Sequence, residues 1–339
     1  MMSKSITQDI LNAFPSTSKK EWEAKATKDL KGKALDELTW EISEEIKQSP
    51  FYTAEDETAI DPSPLKQHQP DWQIGELYVV ENAKTSNKHL LADLMHGLTA
   101  PVLQLSKSMS HVEIDSLFEG VGLSYIDTHF KAMDNNSFEA VQSFLHAQGN
   151  KANTYFELAA PDSKATRSVL VNAQKFYNGT EHTGDELKRA ITAIKTLLQE
   201  ATNPSLLASQ FQCSFFVDNA YLLNIAKLRA FKLLYIQLLK ELNLPISLPF
   251  VKVEFTPSAY GEDEQDNIIR ATSMAMSAVM GGADHLIVRP TSETSRAKRL
   301  ARNIQLILKY ESGLHKVADP AAGSYYIESL TQKLINSVK

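Results

Sequence analysis

The chain has almost nothing with which to form disulfides, enter a membrane or grip a polyanion. One cysteine, Cys213, stands in 339 residues. That excludes an intrachain disulfide and fits a reducing cytoplasm. No stretch approaches 18 uncharged apolar residues, so none reads as a membrane span. No Lys/Arg block offsets the net charge of −6, so neither nucleic acid nor an anionic membrane reads as a partner. The opening "MMSKSITQDILNAFPS" lacks the apolar run of a signal peptide and the arginines of a transit peptide. Also missing are G-x-G-x-x-G, G-x-x-x-x-G-K-[ST] and H-E-x-x-H. "GVGLSY" carries Tyr125 where a third glycine would be needed, and it reads as a helix-to-strand turn. The nine histidines show no metal-ligand spacing; His89 and His96 read as solvated or capping residues. Spacing alone therefore assigns no catalytic, cofactor-binding or metal-binding residue.

What is present is the composition of a globular protein, 43% hydrophobic and 22% charged. Residues 1–60 stand apart, with 20 charged residues of 60 and one glycine, Gly32. "SKKE" from Ser18 predicts a capping box opening an amphipathic helix through Trp22, Ala26 and Leu30. We read residues 1–74 as an extended N-terminal arm and linker, and 75–339 as the main domain. In the latter, apolar runs suited to buried strands fall at 77–80, 102–105, 123–126, 154–158, 169–172, 213–217, 250–255 and 285–288. Helical patterns separate most of them. "SHVE" from Ser110 and "TGDE" from Thr183 predict two further capping boxes. The segment 222–242 is apolar on nearly every face despite Lys227, Arg229 and Lys232, so it should be covered on more than one side. Eight strands with intervening helices in about 250 residues suggest an α/β fold, a (β/α)8 TIM barrel, with a doubly wound open sheet as competitor. Residues 172–183 offer no clear helix after their strand.

Three stretches invite a functional reading. "DTHFKA", from Asp127 to Ala132, resembles the D-x-H-x-x-G of cobalt-ligating histidines, but Ala132 replaces the glycine and a polar strand end explains it. "SMAMSAVMGGAD", from Ser273, is explained by helix packing of Met274, Met276 and Met280, with Gly281-Gly282 as its cap. Arg296, Lys298, Arg299 and Arg302 read as a solvated helix face with ion pairs, a coenzyme-phosphate site being the sharper alternative.

"NIIRATSMAMSAVMGGADHLIVRP" (267–290), "RAKRLARNIQLILKYESGLHKVADPAAGSYYIESLT" (296–331) and "LKGKALDEL…SPFYT" (30–53) resemble the methylmalonyl-CoA mutase family. The resemblance covers most of the chain. It implies a TIM barrel with a subunit-wrapping arm, and chemistry on acyl-CoA with adenosylcobalamin. Catalytic members carry a Gly-Tyr-His stretch where this chain has "FFVDNAYLLN" (Phe215 to Asn224). They carry His-x-Gln-Thr-Ser-Gly where it has Phe255-Thr256-Pro257-Ser258. Asp218 would put an anion where a reacting carbonyl wants a donor. The resemblance therefore implies the small, non-catalytic subunit of a heterodimeric mutase in the cytoplasm, stabilising a larger catalytic subunit that carries adenosylcobalamin. No cobalamin-binding domain follows Thr331, and the chain itself should bind no cofactor. Tyr52, Ser258 and Tyr260 remain as weak substrate-binding candidates, with acyl-CoA as the ligand. The alternative is an acyl-CoA mutase barrel that works with a separate cobalamin-binding chain.

Overall fold

Eight parallel strands close into a barrel in this computed structural model, which describes residues 13, 17–56, 60–67, 70–131, 133–149, 152–158 and 165–338. The strands are β1 Gln73–Val80, β2 Ala100–Leu105, β3 Asp127–Lys131, β4 Asn153–Leu158, β5 Arg167–Asn172, β6 Phe211–Val217, β7 Phe250–Phe255 and β8 His285–Ile287. They pair in chain order, and β8 closes on β1. The arm supplies α1, Lys19–Asp29. Around the barrel run α2 Ala83–Leu94, α3 His111–Leu117, α4 Asn135–Ala147, α5 Thr183–Glu200, α6 Pro204–Gln210, α7 Tyr221–Glu241, α8 Glu264–Met280, α9 Ser295–Leu306 and α10 Tyr325–Val338. The barrel, and not the open sheet, is the fold.

Two expectations need correction. The third strand is not 123–126: Leu123–Tyr125 is a short 3-10 turn and the strand is β3. The apolar criterion failed because Asp127, His129 and Lys131 alternate with buried Thr128 and Phe130. Likewise "TGDE" caps nothing. Helix α5 starts at Thr183 with no side-chain cap, because a 3-10 turn over Thr180–His182 already leads into it. Glu186 is thereby free to turn inward. The boxes at Ser18 and Ser110 form as expected.

Helix α7 is the central pillar, with fifteen buried residues that include Lys227, Arg229 and Lys232. Each buried cation has partners. Lys227 Nζ donates to Glu186 (3.1 Å) and to the Phe216 carbonyl (2.7 Å). Lys232 donates to the Gly282 carbonyl and lies 3.8 Å from Asp284. Arg229 donates to Asp319 at 2.8 and 3.0 Å and to Glu328 at 2.9 Å, tying α7 to the "ADPAAGS" loop and α10.

The arm is anchored at its C-terminal end. A hairpin pairs Trp40–Glu41 with Lys47–Gln48, and Ile42 and Ile46 enter the main core. Lys333 on α10 donates to the Lys47 carbonyl, Gln48 Oε1 and the Tyr52 hydroxyl. Helix α1, by contrast, buries no residue; its Trp22 stacks on Phe51 at 4.6 Å.

Candidate functional site

Side chains on alternate residues of each strand point into the barrel, and here they fill its lower half. His129 on β3 stacks on Tyr155 of β4 with ring centroids 4.3 Å apart, and lies 4.2 Å from His285 of β8. Phe250 of β7 packs on Tyr155 at 4.9 Å. Gln73 of β1 links the stack: its amide donates to the Tyr155 hydroxyl (3.0 Å), and its Oε1 lies 2.7 Å from His129 Nε2, which must therefore be the protonated nitrogen. Gly75 makes room for His285. A Cβ there would stand 2.5 Å from the imidazole and 2.8 Å from the Leu286 carbonyl.

Above the stack, charges close the bore. Lys252 of β7, buried, reaches Glu157 of β4 at 2.8 Å. Lys131 of β3 faces Glu254 of β7 at 3.9 Å. Higher still, β1 runs on to Val80 while β8 stops at Ile287. A cavity of 580 Å³ opens there, beside the two strands and the starts of α2 and α9. Leu77, Val79, Phe216, Phe255 and Val288 line it, with Glu254, Arg289 and Lys298. Beneath the cavity, β1 is held to α9 by Arg302, which donates to Glu76 at 2.8 Å and pairs with Asp93 of α2.

The structure does not bring the weak candidates together. Tyr52 sits on α10, where its hydroxyl donates to nothing in the cavity but accepts from Lys333 and the Ser49 amide. Ser258 is exposed beyond β7, its hydroxyl 3.3 Å from that of Thr256. Tyr260 donates to the Arg289 carbonyl. Neither lines the cavity. Asp218 also lies outside it: its carboxylate accepts from the Tyr177 hydroxyl (2.7 Å) and the Ala220 amide (2.8 Å). Glu76, Asp93, Glu254 and Glu293 are the carboxylates that line the cavity instead. Of the basic cluster, Arg302 is buried and structural, whereas Lys298 faces Glu293.

His129 does not fit a cobalt ligand. It is 1% exposed inside the bore and committed to Gln73, and the hydrogen bonds of Asp127 go to Asn153 and Gln73. Ala132 lies outside the described residues. Among those residues no group of three or more His, Cys, Asp or Glu side chains could hold a metal ion, and no helix is long and apolar enough to cross a membrane.

Sequence reading missed Tyr155, His285, Lys252 and Glu157. One signal was available: strands of a parallel barrel are normally near-continuous apolar runs, yet "DTHFK", "NTYFE" and "VKVE" carry a polar residue at alternate positions.

The two histidines set a pH dependence. Burial, then His285 and Lys252, holds His129 well below its ordinary 6.5. Burial and the Lys252 ammonium push His285 down to about 3. Both stay neutral when folded and take up protons on unfolding, so stability falls as pH drops below about 6.5. Between pH 7.5 and 5.5 each costs on the order of 1 kcal/mol of stability. Glu76 and Glu186, raised by burial, act in the opposite sense. We therefore expect the denaturant-derived stability to fall between pH 7.5 and 5.5, and His129→Gln to remove about half of the histidine share. An equal slope in both proteins would refute this origin.

The methylmalonyl-CoA mutase family profile matches residues 151–339. Over 96% of its length the chain is 26% identical to the methylmalonyl-CoA mutase small subunit of Porphyromonas gingivalis, covering 62% of that protein. It is 25% identical over 93% of its length to the methylmalonyl-CoA mutase of Rhizobium meliloti, covering 56% of it. It is also 25% identical over 80% of its length to a probable methylmalonyl-CoA mutase small subunit of Mycobacterium bovis, of which it covers 52%. The chain thus spans little more than half the length of these relatives. A profile match over more than half the chain, on a closed eight-stranded barrel, shows that this protein belongs to the methylmalonyl-CoA mutase family.

Proposed function

We propose that this chain is a non-catalytic subunit of a heterodimeric, adenosylcobalamin-dependent methylmalonyl-CoA mutase, and that it stabilises a larger, cobalamin-carrying catalytic partner in the cytoplasm. The observation that carries this reading is the filled bore. A thioester lying along the barrel axis would have to displace the His129–Tyr155–Phe250–His285 stack and break the buried Lys252–Glu157 pair. Breaking such a pair strands a desolvated charge. The small-subunit names of two relatives agree with this. The mouth cavity is the one feature that favours the alternative, an acyl-CoA mutase barrel active with a separate cobalamin-binding chain.

Partnership falls to the arm. Helix α1 buries nothing in its own chain, and Leu38, Trp40 and Phe51 are exposed beside it. An obligate interface commonly buries about 2,000 Å² or more, to which such an arm can contribute. Deleting residues 1–38 should shift the melting temperature by no more than about 2 °C while abolishing co-elution with the larger subunit. Deleting 1–53 also removes Ile42 and Ile46 from the core, at about 2–5 kcal/mol each, and should destabilise the barrel. Co-elution that survives the shorter deletion would refute the interface assignment.

A further inference from the structure

The mouth cavity lies at the upper end of the barrel. It reaches from Leu77, Val79, Phe216 and Ile287 over β1 and the segment after β8 toward α2 and α9, above a floor closed by Lys131 and Glu254. Its volume of 580 Å³ lies within the range of pockets that hold small organic ligands. Two of its apolar walls are left open to water: Leu77 is 38% exposed and Val79 is 53% exposed, although both project from a barrel strand. Ile287, Val288 and Phe255 continue this belt on the opposite side.

The charges around it are unequal. Each lining carboxylate has a cationic partner: Glu76 and Asp93 share Arg302, Glu254 faces Lys131, and Glu293 pairs with Lys298. Arg289 is different. It stands exposed at the rim, just beyond β8, and its side chain makes no ion pair or hydrogen bond with any described residue.

An apolar belt ending at one unpartnered guanidinium fits a ligand with an apolar body and one anionic end. We propose that the mouth cavity binds a medium-chain monocarboxylate, its chain along Leu77, Val79, Ile287, Val288 and Phe255 and its carboxylate on Arg289. The proposal does not depend on the chain being non-catalytic. Arginine suits the head group because its planar fork donates two hydrogen bonds to one carboxylate.

Titration calorimetry on the full chain with sodium decanoate, sodium octanoate and 1-decanol tests this. Each methylene buried should tighten binding about fourfold, so decanoate should bind about fifteenfold tighter than octanoate. Decanol should bind about tenfold more weakly than decanoate, the loss of a charge-assisted hydrogen bond. Arg289→Ala, at an exposed position, should erase the difference between decanoate and decanol. Val79→Phe, which occupies the cavity from a half-exposed position, should abolish both; unchanged thermal midpoints would show that both variants fold. The proposal is overturned by no binding of decanoate at 1 mM ligand (about the weakest affinity worth scoring), by equal affinity in all three proteins, or by binding of decanoyl-CoA without binding of decanoate.

Discussion

Supplied with adenosylcobalamin and succinyl-CoA, the isolated chain should form no methylmalonyl-CoA above background, and adding a separate cobalamin-binding protein should not change that. The rearrangement needs donors fixed on the thioester oxygen in a closed site, and each such group is worth about 10²–10⁴ in rate. The two stretches expected to furnish them are otherwise engaged. Asp218 binds Tyr177 and Ala220, Asn219 donates to the Ala259 carbonyl at 3.1 Å, and Tyr260 donates to the Arg289 carbonyl. With two sets of donors missing, activity should lie at least about 10⁴-fold below that of a complete mutase. The nearest chemically competent pair is Lys131 and Glu254 under the mouth, so Glu254→Gln is the informative control. Turnover that scales with the amount of chain and vanishes in this variant would make the chain an enzyme with a catalytic mouth of its own.

Arg229→Met should destabilise the protein by about 3–5 kcal/mol. Arg229 is 1% exposed and holds Asp319, Glu328 and the Thr331 hydroxyl together. Methionine fills most of the space but leaves two buried carboxylates without the guanidinium that pairs with both. The cost arises from those charges and not from lost packing. Adding Asp319→Asn and Glu328→Gln should therefore restore at least half of the lost stability, because neutral amides need no counter-charge. Asparagine also tolerates the left-handed backbone at residue 319, where φ is 45°. Chemical denaturation of the single and triple variants would decide the matter. A triple variant as unstable as Arg229→Met, or less stable, would show that packing rather than charge compensation dominates.

Much of the fold was legible because it is written locally. Apolar runs marked seven of the eight strands, and the boxes at Ser18 and Ser110 started helices where their chemistry required. The apolar character of α7 foretold a helix covered on several sides, although nothing near Lys227, Arg229 or Lys232 in sequence named their partners. The acidic partners of Lys227 and Arg229 come from α5, from the segment before α10 and from α10 itself. The candidate site was far less legible. Gln73, His129, Tyr155, Phe250 and His285 lie on five different strands, and only closure of the barrel stacks them. The same holds for the third strand, which reads as polar until its polar side is seen to line a bore filled by other polar side chains.

The sequence by itself determined that the chain alternates strands and helices and which caps begin two of the helices, because periodicity and capping depend on residues a few positions apart. It also carried the family motifs. Only the tertiary structure decided that the bore is filled, that Tyr52 serves α10, that Arg302 is a buried tie, that Arg289 has no side-chain partner among the described residues, and that the cavity lies at the mouth beside the first and last strands. Those properties depend on which side chains meet after the sheet has closed, and on β8 ending at Ile287 while β1 continues to Val80.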